Sequence, residues 1–370
     1  MLIQRLDTSN PRDRSKFFDF PFRLYRHSPL WVPPLVTEKR DIFGGHPFYQ
    51  HSVAEFFIAE SGRDVLGRLA ILHNRRHNQH CRRQTAFFAF FDCIEDAHVA
   101  GELFAAGFDW ARKRGLDEII GPRGLLGSDS GGTLVDGFQH PPALNVPYNF
   151  PYYDALIQSA GFVKDRDHLS GYLPGPYELP ERFYRIAEWV KQRSGFWIKS
   201  FETVAEVRRW APKAALVHQK AFVNNHEYFP PTEEEFDLIV DSIVTVADPR
   251  LLKLVMRGDD VVGFIIAYHD VSAALRRSKG RLWPLGWAYI LQERRRAERV
   301  NVNGIGILPE LRGLGANALL YTELAKSVHE FGFKHIEIIQ VDETNFKSRH
   351  DMEAIGVQWI KRHRNYRRQL

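Results

Sequence analysis

The sequence predicts an α/β protein built from two related domains in tandem. At 370 residues, the chain is longer than the about 100–200 residues of a usual single domain. Residues 174–180 are rich in proline and glycine, and such residues interrupt regular structure. On both sides of this segment, strand-like runs alternate with helix-like runs. We therefore expect one domain at residues 1–175 and a second at residues 176–370.

The composition indicates a globular protein of a reducing compartment. Apolar residues make up 44% of the chain, which is enough for packed cores. Two cysteines, Cys81 and Cys93, argue against a disulfide framework. The N-terminus has no signal-peptide pattern, and the longest apolar run of the second half, residues 282–291, is about half of what spans a bilayer. We expect a cytoplasmic protein that does not cross a membrane.

The second half has a regular succession of strand and helix patterns. Thr232 is the predicted N-cap of a helix, and Gly258-Asp-Asp260 is a hairpin turn signal. Strands are predicted at residues 196–202, 251–256, 261–268, 300–307 and 335–341. Helices are predicted at residues 204–223, 233–244 and 316–329.

The first half repeats much of this order. Its predicted strands are residues 56–60, 65–72, 86–91 and 118–121, and its main helix is residues 99–114. Gly115-Leu-Asp-Glu-Ile-Ile120, which follows that helix, parallels Gly332-Phe-Lys-His-Ile-Glu337 in the second half. The local similarity predicts a weak internal duplication.

Residues 300–320 are the segment that carries the most chemical information. A strand ends at Pro309, a turn with Gly313 and Gly315 follows, and an amphipathic helix begins at once. Glycines let several backbone N–H groups converge, and the positive end of the helix dipole favours a phosphate there. Arg312 adds a positive charge. The turn matches neither a P-loop nor the dinucleotide-binding glycine pattern.

This segment resembles the pyrophosphate-binding motif of the GNAT N-acetyltransferases, Arg/Gln-x-x-Gly-x-Gly/Ala after a strand ending in x-Pro. Arg312 and Gly315 match, whereas Asn317 stands where the family has Gly or Ala. The resemblance implies tandem domains with mixed, mostly antiparallel twisted sheets flanked by helices. It also implies acyl transfer from acetyl-CoA or a longer acyl-CoA to an amine. The residues it assigns to CoA are Ile305, Gly306, Ile307, Arg312, Gly313, Leu314, Gly315, Ala316, Asn317 and Asn345.

The catalytic residues that the family would supply are incomplete. Many members place a tyrosine four residues before the glycine of the last helix, and that position is Met352 here. Tyr366 and His350 are the substitutes for this acid. Asp342, at a predicted strand end, is the predicted base, although a carboxylate there also serves as a turn cap. Met352 favours a competing interpretation, an acyl-CoA-binding protein without catalysis.

An insertion of about 30 residues separates two strands that compact GNAT domains join by a short turn. It contains Trp283, Leu285 and Trp287 between arginines and lysines. Aromatic side chains flanked by cations suit a membrane interface or a hydrophobic substrate channel. The alternative is that the insertion packs on the other domain. The first interpretation predicts a hydrophobic amine acceptor and peripheral contact with the inner face of the membrane.

Several segments look like a narrower bacterial group of tandem GNAT-like proteins. Tyr25-Arg-His-Ser-Pro-Leu-Trp-Val-Pro-Pro34 and Gly280-Arg-Leu-Trp-Pro-Leu-Gly-Trp287 carry this resemblance, which covers nearly the whole chain. Bacterial ceramide synthases, which acylate a sphingoid amine from acyl-CoA, are similar proteins. The resemblance implies an alternative function, a long-chain acyl-CoA N-acyltransferase acting on a lipid amine.

The first half is expected to be a degenerate GNAT-like domain. It has no counterpart of Arg312-Gly-Leu-Gly315, and residues 92–96 are acidic where a pyrophosphate would lie. We therefore expect only the second half to bind CoA, while the first shapes the acceptor site. The sequence does not define the oligomeric state.

Three other patterns indicate no further activity. The histidines of residues 73–81 lie among arginines whose charge opposes a cation, so no metal is expected. Ser128, Ser130 and His140 are hydrolase residue types, but no Gly-x-Ser-x-Gly elbow is present. The basic tail, residues 361–368, is predicted to be a last strand with solvated charges at a sheet edge, and no nucleic-acid partner is expected.

Overall fold

The computed structural model of the chain describes residues 1–127, 129–175, 177–223 and 225–370. The chain divides into two compact units. The first contains residues 1–169, 272–289 and 360–370, and the second contains residues 170–271 and 290–359. The first unit thus includes two segments from the C-terminal half, in addition to most of the predicted domain 1–175. The separate roles assigned to the two predicted domains stay predictions.

The chain up to residue 174 alternates strands and helices, as the sequence predicts. Its strands are β1 (Leu2–Arg5), β2 (Val53–Ser61), β3 (Asp64–His73), β4 (Thr85–Cys93), β5 (Glu118–Gly121), β6 (Thr133–Asp136) and β7 (Val163–Pro174). Its helices are α1 (Pro11–Leu24), α2 (Glu38–Arg40), α3 (Arg75–Cys81), α4 (Ala97–Arg112) and α5 (Tyr153–Ser159).

The remainder of the chain confirms the strands and helices predicted for the second half. Its strands are β8 (Phe196–Ser200), β9 (Lys253–Arg257), β10 (Asp260–His269), β11 (Arg299–Ile307), β12 (His335–Asp342) and β13 (Gln358–Gln369). Its helices are α6 (Glu181–Arg193), α7 (Val204–Phe222), α8 (Glu233–Val246), α9 (Ser272–Ser278), α10 (Gly286–Arg296), α11 (Ala316–Phe331) and α12 (Phe346–Ala354). Helices α9 and α10 occupy the predicted insertion.

The two units share one order of strand pairing. In the first, β2, β3 and β4 are antiparallel neighbours, and β4 pairs in parallel with β5 after the crossover helix α4. In the second, β9, β10 and β11 are antiparallel neighbours, and β11 pairs in parallel with β12 after α11. Each sheet is therefore mixed and mostly antiparallel, and the predicted duplication is visible as repeated topology.

The sheet of the first unit is buried on both faces. Along β2, Phe57 and Ala59 belong to the apolar cluster that includes α4, while Phe56 and Ile58 belong to the cluster that includes α1. Because side chains alternate across a strand, helices on both faces require such a continuous apolar run. In the second unit, residues of α6, α11 and α12 form one core with the sheet.

The basic C-terminal strand differs from its prediction. Within the first unit β13 lies between β5 and β7 in the strand order, so the predicted solvated edge is wrong. Asp167 on β7 neutralises part of its charge: Arg364 donates to it at 2.8 Å and Arg362 at 3.1 Å. Lys361 and His363 are buried. Part of the positive charge of β13 is thus neutralised by Asp167, a residue that is far away in sequence.

Candidate acyl-CoA site

An open strand edge lies at the centre of the second unit. The parallel register of β11 and β12 begins at Arg299 and His335 and ends at Val302 and Ile338, although both strands continue beyond it. A bulge in β11 precedes the open stretch, since the pairing with β10 shifts between its residues 302 and 305. Bulges end or redirect pairing in this way, often beside functional sites.

The backbone of residues 305–307 presents hydrogen-bonding groups to this edge. The Leu308 N–H donates to the Val262 carbonyl at 2.9 Å, so residue 308 faces β10. Successive residues of an antiparallel strand face alternate sides. Gly306 therefore faces β10 as well, and the amides of Ile305 and Ile307 face the open edge. The place of the pantetheine arm along this edge stays a prediction.

The turn after β11 has the geometry of an anion cradle. Gly313 (φ +81°) and Gly315 (φ +85°) are both left-handed, and Gly315 is the N-cap of α11 without a side-chain cap. The first N–H groups of α11 thus have no capping side chain, and the helix dipole adds positive potential there. Uncapped N–H groups with positive potential are what a pyrophosphate such as that of CoA requires.

Arg312 fixes this turn to its surroundings. Its guanidinium donates to the Ile307 carbonyl at 3.1 Å and to the Ala221 carbonyl, at the end of α7, at 2.6 Å. The residue is otherwise exposed. Arg312 therefore holds β11, the turn and α7 together, and its charge stays next to the cradle.

Two asparagines of the predicted site connect α11 with α12. The Asn317 amide donates to the Asp351 carboxylate at 3.0 Å. The side chain of Asn345 caps α12 by accepting the Ser348 N–H at 3.2 Å. Asn317, which departs from the family motif, thus has a structural partner on α12. Contact of either side chain with CoA stays a prediction.

The two predicted catalytic residues both have local partners. Asp342 accepts hydrogen bonds from the backbone and the hydroxyl of Thr344, each at 2.7 Å. Tyr366 is fully buried in the first unit, and its hydroxyl donates to Asp154 at 2.6 Å. Burial raises the pKa of Tyr366 well above its usual value. Their catalytic roles stay predictions, and Met352 is buried in the core.

His218 is a candidate residue that the sequence reasoning missed. It lies on α7, and its ring is nearly parallel to Phe264 with centroids 5.8 Å apart. Phe264 in turn packs against Gly306, where a Cβ would lie 2.6 Å from its ring. Burial lowers the pKa of His218 to about 4, so its imidazole is neutral at neutral pH. Its signal in the sequence is a lone imidazole on an apolar helix face.

The equivalent turn of the first unit is closed to an anion. Its crossover helix α4 begins after Asp96, whose carboxylate accepts the N–H groups of His98 at 2.8 Å and Val99 at 3.2 Å. A carboxylate on these donors excludes a phosphate by charge and by occupancy. Ser128, considered above as a hydrolase residue, lies outside the described residues.

Comparisons with known proteins identify a family and related proteins. Residues 218–356 match the acetyltransferase (GNAT) family. The chain is 24% identical to Protein YghO of Escherichia coli, over 98% of this chain and 94% of that protein. It is also 24% identical to a bacterial ceramide synthase of Caulobacter vibrioides, over 99% and 97% of the two chains.

Solved structures show the same fold. A tandem GNAT protein from the clavulanic acid biosynthesis pathway aligns over 100% of this chain and 98% of its own, with a TM-score of 0.58 and 12% identity. A GCN5-related N-acetyltransferase from Sphaerobacter thermophilus aligns over 100% and 95%, with a TM-score of 0.52 and 15% identity. The predicted tandem GNAT fold is confirmed, and at the general level the findings support an acyl-CoA N-acyltransferase.

Proposed function

We propose that this chain, whose residues 218–356 match the GNAT acetyltransferase family, transfers an acyl group from acyl-CoA to an amine. The observation that carries the proposal is the continuity of the open edge of β11 with the uncapped N-terminus of α11. A strand edge can pair with the amide groups of pantetheine, and the N-terminal end of a helix can bind the pyrophosphate of CoA. Acetyl-CoA and longer acyl-CoA share these groups.

The proposed reaction is direct attack of the amine on the thioester. A C–N bond forms while the carbonyl electrons move to oxygen, and the C–S bond then breaks to release CoA as a thiolate. A backbone N–H at Ile305 or Ile307 would donate to the developing oxyanion, the usual large electrostatic contribution in acyl transfer. The attacking amine is neutral, so its nitrogen carries a positive charge once the C–N bond has formed. This ammonium nitrogen loses one proton to a base, and the thiolate takes up one proton.

The proton of the acceptor has two candidate destinations. Asp342 is the base predicted from the sequence, and its carboxylate is already hydrogen-bonded to Thr344. His218 is neutral because burial lowers its pKa to about 4, and it lies against the ring that packs on Gly306. We propose His218 as the base, because it is connected through Phe264 to Gly306, which lies between the two proposed oxyanion donors, and a general base must reach the reacting nitrogen.

A lipid amine is the second candidate acceptor, with a long-chain acyl-CoA as donor. Two observations favour it. The protein named bacterial ceramide synthase matches 99% of the length of this chain, and the insertion exposes Trp283 and Trp287 to solvent. A hydrophobic acceptor would reach such an enzyme from a membrane.

The experiment combines two donors with a panel of acceptors. The purified chain is incubated with acetyl-CoA or palmitoyl-CoA and with small or sphingoid amines. Released thiol and the amide product are both measured, the latter by mass spectrometry. We expect thiol release that depends on the amine. Palmitoyl-CoA with sphingoid amines as the productive pair would select the second candidate. Binding of acyl-CoA without thiol release from any pair would refute catalysis and support a non-catalytic acyl-CoA-binding protein.

A further inference from the structure

Three large apolar side chains are exposed together in the insertion. Trp283 is 81% exposed, Leu285 55% and Trp287 51%. We refer to residues 281–287 as the tryptophan turn. Leu291, one helical turn after Trp287 in α10, is 49% exposed. Single exposed apolar residues are ordinary, but several in one short segment mark an interaction surface.

The tryptophan turn is held in place by the backbone. The Trp287 N–H donates to the Leu282 carbonyl at 3.0 Å. A Cβ on Gly286 would lie 1.8 Å from the Arg281 carbonyl, so only glycine permits this close approach. The Gly280 carbonyl accepts the N–H of Val36 at 2.9 Å, which attaches the start of the turn to the Val36 segment within the first unit. The tryptophans are exposed by a defined, hydrogen-bonded conformation.

Positive charge surrounds the tryptophan turn. Residues 272–289 contain three arginines, one lysine and no acidic residue, in a chain whose net charge is only +5. An open groove of about 700 Å³ lies beside Val36, and its lining includes Arg14, Lys39 and Arg40 with Asp41 as its one acidic member. The apolar turn is therefore accompanied by cations on its own segment, whereas the segment to which it is bonded carries Lys39 and Arg40 beside Glu38 and Asp41.

We propose that the tryptophan turn docks the chain on the surface of an anionic phospholipid bilayer. Tryptophan suits the boundary between headgroups and acyl chains, because its ring is largely apolar and its N–H is polar. Basic side chains beside it are attracted to anionic headgroups. The absence of acidic residues from residues 272–289 supplies the charge complementarity that selects this partner. The proposed contact is peripheral. Among the described residues, no helix is long and apolar enough to cross a bilayer.

Vesicle binding of the full chain tests the proposal without acyl-CoA or amine, so it is independent of the proposed reaction. Cosedimentation is measured with phosphatidylcholine vesicles and with vesicles that also contain phosphatidylglycerol. The double variant Trp283→Ala/Trp287→Ala is compared with Trp189→Ala, which removes a tryptophan that is 52% exposed on α6. We expect the double variant to bind anionic vesicles at least about ten-fold more weakly, and Trp189→Ala to bind like the wild type.

Three further measurements separate entry of the tryptophans into the bilayer from nonspecific adsorption. Reversal of charge in Arg281→Glu should weaken binding, and added salt should weaken wild-type binding, whereas Lys113→Glu at the exposed end of α4 should not. Brominated lipids should quench wild-type tryptophan fluorescence more than that of Trp283→Phe/Trp287→Phe. Circular dichroism checks that each variant is folded. Equal binding to neutral vesicles, or equal binding by the tryptophan variant and its control, would overturn the proposal, as would association with a protein but not with vesicles.

Discussion

Val190 of α6 packs directly against Gly315 at the start of α11. A Cβ on Gly315 would lie 2.6 Å from a Val190 methyl group, whereas a Cβ on Gly313 would meet no atom within 4 Å. Both glycines have left-handed backbones. The cradle is therefore shaped by contact with α6, an element that lies outside the glycine-rich motif.

This contact predicts unequal effects of two similar substitutions. Gly313→Ala strains only the backbone, by about 1–2 kcal/mol. Gly315→Ala adds a steric clash, so the turn must move away from α6. We expect CoA affinity, measured by calorimetry, to fall at least about ten-fold in Gly315→Ala and clearly less in Gly313→Ala. The double variant Gly315→Ala/Val190→Ala should recover part of the affinity. Equal losses in both single variants would contradict the steric explanation.

A comparison of CoA stoichiometry tests the role of the first unit. Because Asp96 occupies the N–H groups at the start of α4, we expect one CoA per chain in calorimetry. Asp96→Ala removes the carboxylate, and Asp7→Ala, which removes an exposed carboxylate that accepts from Ser9 in a turn of the first unit, is its control. If the carboxylate is what excludes a phosphate, Asp96→Ala should gain a second, weaker CoA, whereas Asp7→Ala should still bind one. Two CoA per wild-type chain would contradict the closed first unit.

Local chemistry was predictable from the sequence, and long-range partners were not. Thr232 caps α8 as expected, in a capping box with Glu235, because N-capping depends only on neighbouring residues. In contrast, Arg364 and Asp167 are 197 residues apart, and nothing in the basic tail indicates that it pairs with an acidic residue of β7. The exposure of Trp283 was also undetermined, since buried and interfacial aromatic residues have the same local pattern.

The assignment of the base is tested by two substitutions. His218→Gln removes the imidazole from the α7 face that packs near Gly306, and Asp342→Asn keeps an acceptor oxygen for the Thr344 turn. If His218 accepts the ammonium proton, His218→Gln should lower kcat about 10²-fold or more, with little change in the calorimetric Kd for acyl-CoA. Asp342→Asn should then retain most activity. The reverse pattern would assign the base to Asp342.

Asp167 should contribute strongly to the stability of the first unit. Its side chain is fully buried. Burial alone would raise its pKa, but hydrogen bonds from Arg364, Lys164 and Arg362 lower it to about 2. Asp167→Asn leaves these cations without their counterion, and we expect a loss of about 3 kcal/mol in the free energy of unfolding, measured with urea.

The exposed pair of Asp109 and Arg112 provides the control for Asp167. Asp109→Asn should change the free energy of unfolding by less than about 0.5 kcal/mol. Since the folded pKa of Asp167 lies below its ordinary value of 3.8, its contribution is complete above pH 4 and is lost as the pH falls toward 2. A similar loss in the two variants at neutral pH would mean that Asp167 contributes no more than a surface ion pair.

The buried imidazole of His363 should lower the free energy of unfolding in mild acid. Burial lowers its pKa from 6.5 to about 4, and its Nε2 lies 3.0 Å from the Pro147 carbonyl, to which it donates as the neutral tautomer. Between these pH values the unfolded chain binds a proton that the folded chain does not. The contribution of His363 is therefore complete above pH 6.5 and declines as the pH falls toward 4. One pKa unit corresponds to about 1.4 kcal/mol, so about 2 kcal/mol should be lost between pH 7 and pH 5.

His363→Gln keeps a donor for Pro147 without titrating, so its unfolding free energy should depend less on pH than that of the wild type. His98→Gln, at an exposed position of α4, should keep the wild-type dependence. Parallel pH profiles for the wild type and His363→Gln would show that the buried imidazole does not set this acid sensitivity.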